Sequence, residues 1–246
     1  MLRSATEPLA APRRVSGLRK HLERVCYPDY DYKRAMATCP QHSGQKRATG
    51  LSRPWHGTAR GKLVHEQMRL LVNGGGESAL RAVYGHQAVT CDHLERFFRA
   101  LRRKKLRPAL SEFADFYDEF SVASAIDLIC VSEKTGALSL IELKVGGENY
   151  FRRSTGALQK PASLRKYNNS PLHQAFLQLL FYRKMLHDHY PELRLGSCYV
   201  AQLCTDEVCF YRLPADFVAA QDELIACVSA SAAARGTTMR ASRGTQ

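Results

Sequence analysis

Two short apolar runs lie close together in the middle of the chain, and both carry charges where a buried strand would have none. Ile126 to Val131 is almost continuously apolar, which is typical of a strand buried on both faces, but Asp127 lies inside it. Ala137 to Ile141 begins a second run, which ends in Glu142-Leu143-Lys144. Gly136, between the runs, is free to adopt positive φ in a turn. The pattern predicts a hairpin with charged side chains on both strands.

Periodic apolar positions on either side of this hairpin predict the other elements. The predicted helices are 62–72, 89–106, 171–187 and 216–228, and the further predicted strands are 111–117, 195–203 and 208–213. Ser170 followed by Pro171 is a good start for the third helix. Strand 111–117 would pair with the hairpin as a three-strand meander. The order of elements predicts an α/β fold with a central mixed β-sheet flanked by helices.

The two ends of the chain have no sustained apolar face. We expect residues 1–56 to form a basic, partly disordered arm, residues 57–231 a single domain, and residues 232–246 a disordered basic tail. No run approaches the roughly 18 apolar residues of a membrane helix. We therefore expect no membrane contact and an intracellular protein of the nucleus or cytoplasm. The Arg-rich start also resembles a mitochondrial presequence, which leaves the mitochondrion as an alternative.

The net charge of +13 is unevenly distributed and indicates a polyanionic partner, most often nucleic acid. Residues 1–60 hold twelve Lys or Arg against four Asp or Glu. Residues 149–170 hold basic residues interleaved with aromatic ones and no acid; the basic ones are Arg152, Arg153, Lys160, Arg165 and Lys166. This second stretch suits contact with a nucleic-acid strand, and it also suits a solvated flexible loop.

The charges of the hairpin suggest a metal site. A buried carboxylate is costly unless a cation neutralises it, and Asp127 interrupts an apolar strand. Glu142 and Lys144 are two positions apart, so their side chains point to the same face of the strand. Carboxylates that converge from neighbouring strands would bind a hard divalent ion such as Mg²⁺. The other interpretation is an ordinary hairpin in which Glu142 and Lys144 form a solvated surface pair.

The cysteines give no comparable signal. All eight are scattered without a C-x₂-C pair, which favours reduced thiols in an intracellular protein. Cys198, Cys204 and Cys209 are loosely grouped, but they fall on predicted strands at spacings that do not suit an iron–sulfur or zinc site. We expect no metal bound by cysteine.

Three motifs in order resemble one nuclease family. Asp127 followed by Ile141-Glu142-Leu143-Lys144 resembles the core motif of the PD-(D/E)xK nuclease superfamily. Gly61-Lys62-Leu63-Val64-His65 resembles the G-x-x-V-H helix motif of its RecB-like branch, which includes phage-type (lambda exonuclease-like) and mitochondrial exonucleases. Gln178 to Tyr182 resembles that branch's Q-x-x-x-Y motif. The resemblance covers about residues 57–213. The chain departs from it at Ser124-Ala125-Ile126, where many relatives have a glycine.

The resemblance implies a restriction-endonuclease-like core and a metal-dependent active site. Asp127 and Glu142 would hold one or two Mg²⁺ or Mn²⁺ ions, and the Leu143 carbonyl would be a further ligand. His65 would be another ligand, and its imidazole suits Mn²⁺ better than Mg²⁺. Without the motif, His65 would be a surface or capping histidine. Lys144 would orient or deprotonate the attacking water and offset developing negative charge.

The resemblance also assigns roles outside the hairpin. Glu112, on the first predicted strand, takes roughly the place of a further acid seen in some members. Gln178 and Tyr182 would hydrogen-bond a substrate phosphate, or hold Lys144 and Glu142 in place. The other interpretation of Gln178 and Tyr182 is a polar pair at the edge of the core.

The leading functional hypothesis is a metal-dependent deoxyribonuclease. The RecB-like motifs favour an exonuclease or end-processing enzyme of DNA replication, recombination or repair, acting on double-stranded ends or single strands, with a replication or recombination protein as partner. The alternative is a catalytically silent subunit of nuclease fold that binds nucleic acid. A third interpretation is a basic structural or packaging protein with an incidental hairpin, for which basic charge alone would explain DNA binding.

Overall fold

The computed structural model describes residues 16–17, 22, 57–85, 90–117, 122–146, 151, 156–157 and 161–230. The strands are β1 (Ser16–Gly17), β2 (Leu106–Tyr117), β3 (Val122–Ser132), β4 (Leu138–Val145), β5 (Tyr199–Leu203) and β6 (Val208–Arg212). The helices are α1 (Gly57–Asn73), α2 (Glu77–Tyr84), α3 (Asp92–Arg103), α4 (Pro171–His189), α5 (Ala215–Ala219) and α6 (221–230), with one 3₁₀ turn at Ala162–Leu164.

Five strands form a mixed sheet in the order β2-β3-β4-β5-β6. The meander of β2, β3 and β4 is antiparallel, as predicted. Because α4 crosses from the end of β4 back to the start of β5, these two strands run parallel. β6 returns antiparallel to β5, and the two-residue β1 pairs parallel with the start of β3. The predicted α/β fold with a central mixed sheet is confirmed.

Helices cover both faces of the sheet. On one face, α1 and α3 pack against the cross-strand pair Leu128 and Ile141, with Val64, Met68 and Phe97 fully buried among them. On the other face, α4, α5 and α6 bury the second core cluster. Leu140 of β4 and Val200 of β5 belong to this second cluster. Burial on both faces explains why β3 and β4 are almost continuously apolar.

Helix α4 begins as the sequence predicts. Ser170 is its N-cap, and the Ser170 hydroxyl accepts a hydrogen bond from the His173 backbone N–H. Pro171 occupies the first helical position, where its missing N–H costs nothing. This start sets the register in which Gln178 and Tyr182 face the sheet.

Several boundaries differ from the prediction for identifiable reasons. Strand β2 begins at Leu106 instead of residue 111, because Leu106 is buried and pairs with Ser132. Helix α2 was not predicted, since Leu80 is its one buried residue and its apolar pattern is short. Strand β5 begins only at Tyr199, and the last predicted helix divides at Ala220 into α5 and α6.

Most of the predicted arm and tail lies outside the described residues. Of residues 1–56, only Ser16, Gly17 and Leu22 are described: the first two form β1, and Leu22 is buried in the core cluster beside α4. Residues 231–246 are outside the described part, so the domain bounds stay a prediction. Among the described helices, none has both the length and the apolar character needed to cross a bilayer.

Candidate metal centre

Strands β3 and β4 stop pairing at the two acids of the hairpin. Their ladder ends at the pair Leu128 and Ile141, one step before Asp127 and Glu142 would face each other. Instead of a backbone carbonyl, Asp127 Oδ2 accepts the hydrogen bond of the Leu143 N–H, at 2.6 Å. The Asp127 side chain thus replaces a ladder contact, which fixes its orientation where the strands separate.

Strand β2, which pairs with β3, has an irregular backbone at Glu112, opposite Asp127. Glu112 has φ 51°, a left-handed conformation that non-glycine residues rarely adopt. Ser111 and Phe113 pair with β3, whereas Glu112 between them does not. Asn73, the last residue of α1, donates to the Ser111 carbonyl at 2.6 Å and accepts from the Ser111 N–H at 2.8 Å. This clamp holds the strand where Glu112 turns towards the site.

Helix α1 brings His65 to both of these acids. His65 Nδ1 lies 2.6 Å from Glu112 Oε1 and 3.6 Å from Asp127 Oδ1. One ligand atom from each of the three side chains lies within 4.8 Å of the others. Because α1 begins at Gly57, about two turns earlier, His65 is not a capping residue. Its side chain is 31% exposed, so it lies at the edge of the surface while it contacts both acids.

Glu142 and Lys144 meet as predicted, but not on the surface. Lys144 Nζ donates a hydrogen bond to Glu142 Oε1. Glu142 is only 2% exposed, so the interpretation as a solvated surface pair is wrong. Within the described part of the chain, the buried Glu142 Oε2 has no hydrogen-bond partner. A buried carboxylate oxygen in that state is costly, and a cation beside it would offset the cost.

Burial and the closeness of these charged side chains shift the pKa values of Asp127 and His65. Burial, and then the negative charge of Glu142, raise the pKa of Asp127 to about 7. For His65, burial lowers the pKa, but the hydrogen bond to Glu112 and the charges of Asp127, Glu112 and Glu142 together outweigh burial, so its pKa is raised above the usual value. In the absence of an ion, protons therefore offset part of the negative charge.

The residues of the cluster fit a divalent cation. Asp127, Glu112 and Glu142 supply carboxylate oxygens, and His65 supplies one imidazole nitrogen. Oxygen ligands suit Mg²⁺ and Mn²⁺, and the imidazole shifts the preference towards Mn²⁺. The unpaired Glu142 Oε2 is the structural observation that supports a cation. The Leu143 carbonyl as a ligand stays a prediction, since the structure shows the Leu143 N–H at Asp127.

Gln178 and Tyr182 lie on α4 but hold the strand that carries Asp127. The Tyr182 hydroxyl donates to the Ala125 carbonyl at 2.9 Å and lies 2.8 Å from Ser124 Oγ. Gln178 Nε2 in turn donates to the Tyr182 hydroxyl at 2.5 Å. Tyr182 is fully buried, and Glu142 and Asp127 are close enough to help raise the pKa of its hydroxyl well above 10. This geometry favours the interpretation as a polar pair at the core edge.

The described part of the basic loop packs against the last helices. Lys166 forms an ion pair with Asp216 of α5 at 2.5 Å, and the Tyr167 hydroxyl donates to the same carboxylate. Arg165 lies close enough to Glu223 of α6 to help lower the pKa of that carboxyl, after the hydrogen bonds from Ser163. Residues 161–168 are therefore docked on the domain. Three further predicted contacts, Arg152, Arg153 and Lys160, lie outside the described residues.

Two positioning residues escaped the sequence analysis. Asn73 precedes a run of glycines and looked like a simple helix stop, yet it clamps Ser111. The Ser111 hydroxyl continues the connection by donating to the Asp127 carbonyl at 3.0 Å. No local signal identifies either contact, because Asn73 and Ser111 are 38 positions apart.

Comparison with known proteins adds no relative to this picture. No protein-family model matches the chain, and no curated protein matches it either. The resemblance to PD-(D/E)xK nucleases therefore rests on the short sequence motifs and stays a prediction.

Proposed function

We propose that this chain is a metal-dependent nuclease that hydrolyses phosphodiester bonds in DNA, as an exonuclease or end-processing enzyme. The observation that carries the proposal is the convergence of Asp127, Glu142 and Lys144 where β3 and β4 separate. His65 and Glu112 complete the cluster from α1 and β2. Buried acids that could hold a cation, with a lysine beside them, suit phosphodiester hydrolysis, in which a metal ion stabilises charge and activates water.

Each residue of the cluster has a distinct task in this proposal. Asp127, Glu142, Glu112 and His65 would hold the ion, which when bound neutralises charge on the phosphate and acidifies a water molecule. The Leu143 N–H keeps the Asp127 carboxylate oriented before substrate arrives. Lys144 would leave part of its contact with Glu142 to orient the attacking water and offset negative charge.

The charge of the whole chain supports DNA as the substrate. A net charge of +13 is sufficient to attract a polyanion and to make binding dependent on salt. The motif resemblance is the basis on which we propose DNA rather than RNA, action at ends and a replication or recombination partner.

Digestion of defined DNA substrates tests the proposal. Linear DNA labelled at one end and closed circular DNA of the same sequence would be incubated with Mg²⁺, with Mn²⁺ or with EDTA. We expect metal-dependent shortening of the linear DNA, no reaction in EDTA, and resistance of the circular DNA. Cutting of the circle would show an endonuclease. DNA binding without hydrolysis under every condition would favour the catalytically silent subunit.

Substitutions at the cluster connect any hydrolysis to these residues. Asp127→Ala and Lys144→Ala should each lower the rate by about 10²-fold or more, the usual contribution of a residue that activates the nucleophile. Asp222→Ala on α6 and Lys184→Ala on α4 are matched controls, since they remove the same charges at a cavity whose lining includes none of the cluster residues. Unchanged rates in both site variants would overturn the assignment.

A further inference from the structure

The end of α3, the start of β2 and the β3–β4 turn form one basic surface. We call this the α3–β2 basic surface; its members are all exposed: Arg99, Arg102, Arg103, Lys104, Lys105, Arg107 and Lys134. The Glu133 N–H donates to the Lys105 carbonyl at 2.9 Å, which brings the turn against the end of the helix. Glu133 of this turn and Glu95, one helical turn before Arg99 on α3, are exposed acids beside these cations. None of the seven forms a salt bridge with another described residue.

Helix electrostatics explain only part of this surface. The C-terminal end of a helix attracts cations, which accounts for Arg102, Arg103 and Lys104 on α3. Arg107 lies on β2 and Lys134 in the turn, beyond the influence of that helix end. The charge therefore continues over three elements without a structural cause common to all of them.

The backbone conformation of Lys105 is a second, independent indication that this surface is functional. It directly follows the C-cap of α3 and has φ 59°, in the position where helices favour glycine. Among the described residues, the other non-glycine residue with positive φ is Glu112 of the candidate metal centre. Strained residues that are not glycine concentrate at functional sites. Lys105 keeps a charge at a position where glycine would relieve the strain.

The composition of the surface favours nucleic acid over an acidic protein. Four of the seven cations are arginines, whose planar guanidinium groups suit phosphate oxygens. The exposed large hydrophobic residues of the described chain are Val83, Tyr84 and Val218, none of which belongs to this surface. Protein interfaces have an apolar centre, whereas binding to a DNA backbone is driven by charge.

We propose that the α3–β2 basic surface binds the phosphate backbone of duplex DNA and holds the duplex while its end reaches the metal centre. The partner in this proposal rests on the proposed function. Ser132, at the edge of the surface, is five residues along β3 from Asp127, a separation of about 17 Å. That corresponds to about five base pairs at 3.4 Å each, so the separation along β3 is shorter than a short duplex.

The test measures binding in EDTA, where no metal-dependent hydrolysis occurs. Binding of the full chain to a labelled duplex of about 30 base pairs, longer than the span estimated above, would be measured by fluorescence anisotropy. The measurement would be repeated over a range of salt concentrations. The steepness with which log K falls as log salt rises, called the slope here, decreases by about 0.9 for each lost phosphate contact. The double variant Arg102→Gln/Arg103→Gln should lower the slope by about 1.8. The control Arg81→Gln/Arg194→Gln removes equal charge outside the surface and should leave the slope nearly unchanged.

Lys105→Gly separates a binding role from a structural one. The substitution relieves strain, so the melting temperature should stay the same or rise, while the salt slope falls by about 0.9. Unchanged DNA affinity in Lys105→Gly and in the α3 double variant would overturn the proposal, as would equal losses in the control. Tighter, surface-dependent binding of polyglutamate than of duplex DNA would also overturn it, and would indicate an acidic protein partner.

The two proposals fail in different ways. Surface-dependent binding in EDTA without any hydrolysis in Mn²⁺ would contradict the nuclease proposal alone. Metal-dependent hydrolysis with unchanged duplex binding in the surface variants would contradict the α3–β2 binding proposal alone.

Discussion

Asp127 has two roles that oppose each other in the metal-free protein. Its carboxylate is held in place by the Leu143 N–H, which stabilises β3 against β4. Its negative charge is unfavourable, because burial and Glu142 raise the pKa of Asp127 to about 7. A residue whose charge opposes folding is retained more readily for a ligand than for stability.

The first prediction is that Asp127→Asn stabilises the metal-free protein at high pH. An unfolded aspartate ionises near its ordinary pKa of 3.8, whereas in the folded chain the pKa is about 7. Between these values the folded state binds more protons than the unfolded state, so stability falls as pH rises from about 4 to 7. The penalty is fully present above pH 7, where it amounts to several kcal/mol at most.

Urea unfolding in EDTA at pH 5 and pH 8 measures this effect. We expect the variant to exceed the natural chain in free energy of unfolding by more at pH 8 than at pH 5, while metal-dependent hydrolysis is lost. A variant that is less stable by the same amount at both pH values would contradict the assigned burial and charge of Asp127.

At the scale of elements, the end of α1 determines where β2 places its acid. Asn73 bonds both backbone groups of Ser111, and the next residue is the strained Glu112 that contacts His65. The helix thus supplies both a candidate ligand and the clamp that positions its neighbour. Stability and metal affinity should therefore change together when the clamp is removed.

Asn73→Ala should destabilise the fold by about 1–3 kcal/mol, the cost of leaving backbone groups unpaired, and should weaken Mn²⁺ binding. Asn73→Asp is the matched control: it can still accept from the Ser111 N–H but cannot donate to the Ser111 carbonyl, so its loss should be intermediate. Calorimetric titration with Mn²⁺ and denaturant unfolding measure the two effects. Normal Mn²⁺ affinity in a destabilised Asn73→Ala would show that the clamp does not position Glu112.

Helix α4 provides a second test at this scale. Tyr182→Phe removes the hydroxyl that binds the Ala125 carbonyl and Gln178, so stability should fall by about 1–3 kcal/mol. Because Tyr182 is fully buried, kcat for DNA should change by less than about tenfold, a change worth under 1.4 kcal/mol. Tyr167→Phe, which loses a hydrogen bond at the exposed Asp216, is the control. A large loss of kcat with unchanged stability would instead indicate contact between Tyr182 and substrate.

At the scale of the whole molecule, one bound ion would contact side chains from four different elements. His65 of α1, Glu112 of β2 and Asp127 of β3 converge, and Glu142 of β4 lies close enough for its charge to raise the pKa of Asp127. An ion that binds only the folded arrangement stabilises all of these contacts together, by about 2.7 kcal/mol when its concentration is 100 times Kd.

The melting temperature should therefore rise with Mn²⁺ and less with Mg²⁺, relative to EDTA. His65→Ala should remove the advantage of Mn²⁺, because the remaining ligands are all oxygens that suit both ions. His187→Ala, an exposed histidine on α4, should preserve the difference between the ions. An equal melting temperature in EDTA, Mg²⁺ and Mn²⁺ for the natural chain would contradict the metal centre.

Much of the fold was predictable because burial leaves a local pattern in the chain. Alternating and continuous apolar runs correctly gave the three-strand meander, and Ser170-Pro171 gave the start of α4. The short helix α2 and the early start of β2 were missed. Their stability comes from single buried residues, Leu80 and Leu106, which make no periodic pattern.

The sequence by itself indicated Asp127 and Glu142, since charged residues within apolar strands are visible without coordinates, whereas Glu112 was suggested only by the motif resemblance. Only the tertiary structure decided which atoms meet: His65 and Glu112 lie 47 positions apart, yet their side chains are 2.6 Å from each other. It also decided that Tyr182 is an internal anchor and that Lys105 and Glu112 are strained. The reason is physical. Local periodicity encodes which face of an element is buried, whereas distances between side chains of different elements depend on how helices pack on the sheet.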